Sequence, residues 1–588
     1  MGTEQSTLKK NGYVLQRKTK NAVVATKGDD TFFIKRITLQ QMPSNAVPAL
    51  QEEIEFLKAT SHPHIVSSKN SFKDEEENIY YIVMDYCQGG NLATKIRKRT
   101  ASPQESEILS WIAEICVALR AIHEKGFLHK NLTPENILLT EFGLVCLGDF
   151  GNINENSKSS QSTANSNLLE TAYLPPEVFE EGIYNSHSDI WSVGCILYEL
   201  CTRKPAFSAG TIVQLIPKII RGPYPPLPDT FSPELCQLLE QIFSRDPQSR
   251  PTASEILQRP IIITCLSNKS KNTVKELQTK LTKLRDVADG LESVHQGATI
   301  GSLAGGVIGA AGGITSIVGL ILAPFTLGAS LIVTGVGVGV GALGGITAGT
   351  SNITNMVNQS SDRKAVRSIL KEFAQKIQAV VTWLQEISNS LQNIRRRCGS
   401  ADRLDTEASQ LNPENLTRLG FRAGRGMAGI AELVRLVQVM NIGKIAAQAS
   451  RAVRVAEVAT GVLSGLFVAV DIFFIAMDAK EIHHIRQAQA AAGGGGTTSG
   501  SMSMSSFDQA APLSSSMMQL HNFDTSQTQD QSSTNTTQVR SEVMRFVRSI
   551  RETADNLQKV LDELNSIVSS IPSLGAERDQ EWMDMELM

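Results

Sequence analysis

Aromatic residues are scarce in this sequence, at 5% of 588 positions. A charge excess of either sign is missing too: 56 Lys and Arg face 59 Asp and Glu, a formal balance of −3. Without a basic surplus there is no electrostatic footprint for nucleic acid, and that class of partner is not expected. The eight cysteines (Cys87, Cys116, Cys146, Cys195, Cys201, Cys236, Cys265 and Cys398) include no C-x-x-C pair and sit among apolar residues. That argues against a disulfide framework and for a reducing compartment. Met1 to Lys20 is polar and lacks the apolar core of a signal peptide, so the expected location is cytoplasmic. The sharpest absence is local. From Ser293 to Ser361, 69 consecutive residues carry no Asp, Glu, Lys or Arg, and 16 of the 44 glycines fall between Gly297 and Gly349. So long an uncharged run implies two kinds of solvent preference in one chain.

Residues 1–12 read as a flexible start. They open Met1-Gly2-Thr3-Glu4-Gln5-Ser6, which fits the N-myristoylation pattern and makes Gly2 a candidate lipidation site. Residues 13–262 alternate β-branched runs with helical patterns and turns, as in an α+β domain. Residues 270–490 are patterned as helix throughout. Residues 491–538 are Gly, Ser, Thr, Gln and Met with almost no charge, a linker unable to bury enough apolar surface to fold. Over 539–572 apolar residues recur at three- and four-residue steps from Val543 to Ile571, with Pro572 ending an amphipathic helix. Its stripe must be covered, either by the chain's own helices or by self-association as a coiled coil.

In the first region the motifs come in a fixed order. Phe32-Phe33-Ile34-Lys35 is followed by Glu53 in a helical stretch and by His62-Pro63-His64-Ile65-Val66. Then come Tyr81-Ile82-Val83-Met84-Asp85-Tyr86-Cys87-Gln88-Gly89-Gly90-Asn91-Leu92 and His129-Lys130-Asn131-Leu132-Thr133-Pro134-Glu135-Asn136. Asp149-Phe150-Gly151, Pro175-Pro176-Glu177, Asp189-Ile190-Trp191 and Arg245-Asp246-Pro247 to Arg250-Pro251 complete the series. This resembles the bilobal eukaryotic protein kinase fold, most closely the NimA-related serine/threonine kinases around the hinge. The resemblance implies that Lys35 holds ATP phosphates and pairs with Glu53. It also implies that Met84, Asp85 and Cys87 line the adenine slot and that Asn136 and Asp149 hold Mg. Glu177 and Arg250 match the family's buried ion pair.

The departures from the family are chemical. The position of the catalytic aspartate holds Asn131, whose amide cannot take a proton at physiological pH. The residue before it is Lys130, and Thr133 stands where a lysine would steady the transferring phosphate. Gln16-Arg17-Lys18-Thr19-Lys20-Asn21-Ala22 replaces the glycine-rich turn that lets backbone N–H groups approach phosphate. The expectation is a pseudokinase, with ATP and Mg bound weakly or not at all and slow catalysis through Asn131 left open as the alternative.

The uncharged run divides at Pro324 into two stretches, 299–322 and 326–349, each long enough for a hydrocarbon core that takes about 20 helical residues. Gly301, Gly305, Gly309 and Gly313 step by four, as do Gly337, Gly341, Gly345 and Gly349. Such faces let helices approach closely in lipid, so a membrane-insertable hairpin is expected, with a buried soluble hairpin as the alternative. Helices with Arg418, Arg422, Arg425, Arg435, Lys444, Arg451 and Arg454 against the single acid Glu432 suit anionic lipid surfaces. A further apolar stretch, Val458 to Met477, contains an isolated Asp471, which suggests acid-assisted insertion; a hydrogen-bonded Asp in a soluble helix is the alternative.

The string Leu320-Ile321-Leu322-Ala323-Pro324-Phe325-Thr326-Leu327-Gly328, with Asp471-Ile472-Phe473-Phe474-Ile475-Ala476-Met477-Asp478 downstream, resembles the apolipoprotein L family. That resemblance implies an all-α lipid-binding domain able to enter membranes, in some members as a pore and in some as an intracellular host-defence factor. The combined expectation is a membrane effector on an intracellular membrane, controlled by its pseudokinase through an unknown protein partner or nucleotide. A membrane-anchored active kinase and a non-permeabilising lipid scaffold are the alternatives.

Overall fold

The computed structural model describes residues 2–19, 22–39, 46–99, 104–148, 164–301, 348–401, 442–492 and 531–571. The chain divides into two compact units. The first comprises Met1–Gln278, Glu372–Ala459 and Val560–Met588, the second Thr279–Lys371 and Thr460–Lys559.

The expected flexible start is instead a helix, α1 (Gly2–Lys10). It is tied down because Leu8 is fully buried and the Thr7 hydroxyl donates to Asp74 Oδ2 at 2.5 Å. Strands β1 (Val14–Lys18), β2 (Ala22–Lys27) and β3 (Asp30–Thr38) follow as a meander. Gly28, at φ +62°, makes the tight turn between β2 and β3. Helix α2 (Ala46–Ala59) precedes β4 (Ser68–Asp74) and β5 (Ile79–Asp85), and the antiparallel sheet has the order β1-β2-β3-β5-β4. β3 and β5 are central, and Tyr81, Ile82 and Val83 are wholly buried there.

Helices α3 (Leu92–Lys98) and α4 (Glu105–Glu124) open the second lobe, with the short hairpin β6 (Ile137–Leu139) and β7 (Val145–Leu147). Next are α5 (Ala164–Thr171), α6 (Pro176–Glu180), α7 (Ser186–Thr202), α8 (Ile212–Arg221), α9 (Pro233–Ile242) and α10 (Ala253–Leu257). α7 starts on a capping box between Asn185 and Ser188 and carries the buried Trp191, which lies against Phe207 and Phe243.

Four long helices complete the described chain: α11 (Pro260–Gly301), α12 (Ala348–Ala401), α13 (Ile442–Ala492) and α14 (Gln531–Ser569). α11 runs without a break through residues 262–270, where the sequence suggests a domain boundary. α14 begins at Gln531, inside the stretch expected to be linker, because its helix propagates back from the apolar stripe. In the first unit α12 buries Phe373, Ile377, Val380, Trp383, Leu384, Ile387, Leu391 and Ile394 at helical spacing. In the second unit Phe473 of α13 stacks on Phe546 of α14 at 4.2 Å. There Arg551 of α14 pairs with Asp289 and Glu292 of α11. The apolar stripe of α14, including Val547, Ile550, Leu557, Leu561 and Leu564, is therefore covered within the chain.

Candidate functional site

The kinase-motif residues of the first unit lie on β3, α2, the end of β5 and the loop before β6. Lys35 pairs with Ile82 across β3 and β5, and Met84 stands opposite Phe33. This register puts the lysine three pairs from the end of β5 at Asp85, where the chain leaves the sheet. Lys35 and Glu53, the latter on α2, are both buried, at 6% and 2% exposure. Met84 is buried and Cys87 half-buried, while Asp85 is turned to Lys69 of β4 in an ion pair of 2.9 Å. The sharp exit from the sheet requires glycine: a Cβ on Gly89 would lie 2.3 Å from the Thr140 carbonyl oxygen. Gly90 sits at φ +79°, and its carbonyl accepts from Leu139 N–H at 2.8 Å.

The loop His129–Asn136 is held by one carboxylate. Asp189 of α7 accepts from the backbone N–H groups of His129 and Lys130 at 2.9 Å each, from the Tyr184 hydroxyl at 2.7 Å and from His123 Nε2 at 2.8 Å. Burial alone would push this carboxyl up, yet the hydrogen bond and charge of His123 and its other donors hold it below the usual carboxylate range. Lys130 adopts φ +63°, a left-handed conformation that the two Asp189 bonds maintain. Asn131 follows directly, so an amide occupies the point where a proton acceptor would stand. Asn136 closes the loop, its side-chain N–H donating to the Asn131 carbonyl at 2.9 Å.

After β1, Thr19 bonds through both its N–H and its hydroxyl to the Ala22 carbonyl at the start of β2, at 2.8 and 2.9 Å. Lys20, Asn21 and Asp149 lie outside the described residues. In the helical lobe, Arg250 grips Glu177 in a bidentate pair of 2.7 and 2.8 Å, and Ser188 adds a third bond. Burial pushes Glu177 up, but the Arg250 hydrogen bonds and charge outweigh it and hold the carboxyl low.

Of the apolar-segment residues, Gly301 and Gly349 fall near the described ends of α11 and α12. Gly305, Gly309, Gly313, Pro324, Gly337, Gly341 and Gly345 lie outside the described residues. Asp471 is not isolated: Arg367 of α12 donates to it at 2.7 Å. Among the described residues one helical stretch, Gly443–Phe474, is long and apolar enough to cross a membrane by length and composition, with a mean hydropathy of 1.8. Only 33% of its apolar window is buried, and Val468 and Ile472 are more than half exposed. No group of three potential metal ligands occurs among the described residues.

Sequence reasoning missed a cluster that joins the His64 loop and α4 to α12. Trp383 of α12 donates from Nε1 to His64 Nε2 at 2.8 Å, and Arg120 of α4 pairs with Glu386. The available signal was that Trp383 is one of only four tryptophans, on the apolar stripe of α12.

A five-stranded lobe, a helical lobe and this loop between them define a protein kinase fold, here continued by long helices. Residues 19–262 match the protein kinase domain, and residues 268–493 match apolipoprotein L. Serine/threonine-protein kinase Nek1 of Mus musculus is 41% identical over 241 residues, which is 41% of this chain and 20% of that protein. Nek5 of Homo sapiens is 38% identical over 231 residues (39% and 32%), and Nek3 of Mus musculus 39% over 249 (42% and 48%). The chain thus spans less than half the length of these relatives. It joins a NimA-related kinase-like domain to an apolipoprotein L domain.

Proposed function

We propose that this chain is an intracellular membrane effector in which the apolipoprotein L domain binds anionic lipid and the kinase-like domain regulates it without phosphotransfer. The observation that carries this reading is Asn131. The loop around it is fully built, held by Asp189 and closed by Asn136, yet the acceptor for a hydroxyl proton is replaced by an amide. Losing a general base costs about 10²–10⁴ in rate. The exposed apolar side of Gly443–Phe474 supports lipid contact, and pore formation in a host-defence role extends the same reading. ATP and Mg fit the cleft's retained Lys35, Glu53 and Asn136 as regulatory ligands, with Met84 and Cys87 beside the adenine position.

The test is co-flotation of the full-length protein with anionic and neutral liposomes, with dye release followed in parallel. Flotation on anionic vesicles is the expected result, and leakage separates a pore from a lipid-binding scaffold. A protein that stays with the soluble fraction under every lipid composition sinks the reading. A second reading, a membrane-anchored active kinase, is favoured by the buried Lys35 and Glu53 and by relatives named as serine/threonine kinases. It requires phosphotransfer that disappears in Lys35→Ala.

A further inference from the structure

The His64 ring is completely buried, and its two nitrogens have opposite duties fixed by their partners. Nδ1 lies 2.8 Å from the Val145 carbonyl, which only accepts, so Nδ1 carries the proton. Nε2 lies 2.8 Å from Trp383 Nε1, which only donates, so Nε2 must be bare. The two ring planes are within 15° of parallel, with their centres 5.9 Å apart, and the Trp383 N–H to Nε2 bond joins them. Only the neutral ring in this one tautomer satisfies both partners. An added proton would sit on Nε2, facing the Trp383 N–H with no acceptor between them.

We propose that the seat of Trp383 on His64 is a releasable joint, opened by a proton on His64, through which the kinase-like domain holds or frees α12 of the apolipoprotein L domain. The link to membranes rests on the function proposed above; the joint itself does not.

The groups facing His64 come from every element packed around it. From its own loop, His62 stands 5.8 Å away between ring centres. From α4, Glu114 Oε2 is 3.8 Å from Nδ1 and accepts the Val145 N–H at 2.8 Å, so the Val145 peptide is gripped on both sides. From α11, Lys269 pairs with Glu114 and stands 5.1 Å over the Trp383 ring. From α12, Glu386 pairs with Arg120. Burial pushes His64 down, partly offset by the Glu114 charge, and pushes His62 down to about 3. Both histidines are neutral while the joint is closed, so acid favours opening below the ordinary histidine value of 6.5. Glu386 works the other way. Burial raises it to about 7, so it takes up a proton in the closed joint first and resists opening as pH falls.

Hydrogen exchange of residues 372–394 in the full-length protein reads the joint alone, with α7 as internal reference and intrinsic rates corrected. In the wild type, exchange should quicken by about tenfold or more between about pH 7.5 and about pH 5. Trp383→Phe keeps the ring and deletes the donor, so exchange should already be faster at neutral pH and the acid step should shrink. Glu386→Gln keeps a polar partner for Arg120 but removes the opposing titration, moving the acid midpoint upward. Unchanged protection in the wild type at both pH values overturns the proposal, as does a wild-type acid step in Trp383→Phe or an unmoved midpoint in Glu386→Gln. A joint that opens in a protein that never floats with liposomes sinks the membrane function and leaves the joint standing.

Discussion

Single residues carry the chemistry of this chain, and Asn131 is the most telling. An amide there has no proton-accepting lone pair of useful basicity, so phosphotransfer by the full-length protein should match the Lys35→Ala background in a radiolabelled-phosphate assay on a general protein substrate. Asn131→Asp should remain within about tenfold of that background, because Thr133 and the glycine-free stretch Gln16–Ala22 still lack the groups that steady the phosphates. Arg250→Ala isolates a different effect. It strands the Glu177 carboxylate inside the helical lobe, and urea unfolding should register a loss of about 3–5 kcal/mol. Titration supplies a third expectation. His62 and His64 have depressed values, so their contribution to stability is present above 6.5 and is lost as pH falls. Glu386 is raised from 4.5 to about 7, so its contribution is present below 4.5 and lost as pH rises through about 7. Melting temperatures of wild type and Glu386→Gln across this range should therefore diverge, with the wild type gaining relative to the variant as the solution is acidified.

At the level of elements, what was legible depended on whether the signal was local. The order of β3, α2, β5, the Asn131 loop and α7 follows from strings of a few residues whose turn glycines and caps sit beside the element they shape; Gly89, Gly90 and the Asn185 capping box are examples. α1 was hidden because the polar sequence Gly2–Lys10 has one apolar anchor, Leu8, and its value depends on a pocket made by distant strands. Leu8→Ala should cost about 2–5 kcal/mol in thermal or urea unfolding, far more than an exposed terminal residue would. The Trp383–His64 bond was beyond reach for the same reason: its partners lie 319 positions apart. Asp471 looked isolated because sequence distance concealed Arg367, which the packing of α12 beside α13 brings to 2.7 Å.

The whole molecule is organised by the fact that its two family halves share one helix. α11 carries Ile262, the last residue of the kinase-domain match, and, about two turns further on, Lys269, which reaches Glu114 and the face of Trp383. A helix advances about 1.5 Å and turns about 100° with each residue, so Ile262 and Lys269 within the first unit are locked in phase. One alanine inserted between Arg259-side residues and Lys269, after Cys265, should swing Lys269 off Glu114 and impair folding of the full-length chain, as seen by a lowered melting temperature. Four inserted residues, which add close to a full turn, should be tolerated better than one or two. The junction therefore behaves as a keyed shaft: its length is free to change only in steps of the helical pitch, and swapping either half for a relative's would succeed or fail on angular register before any question of surface fit arises.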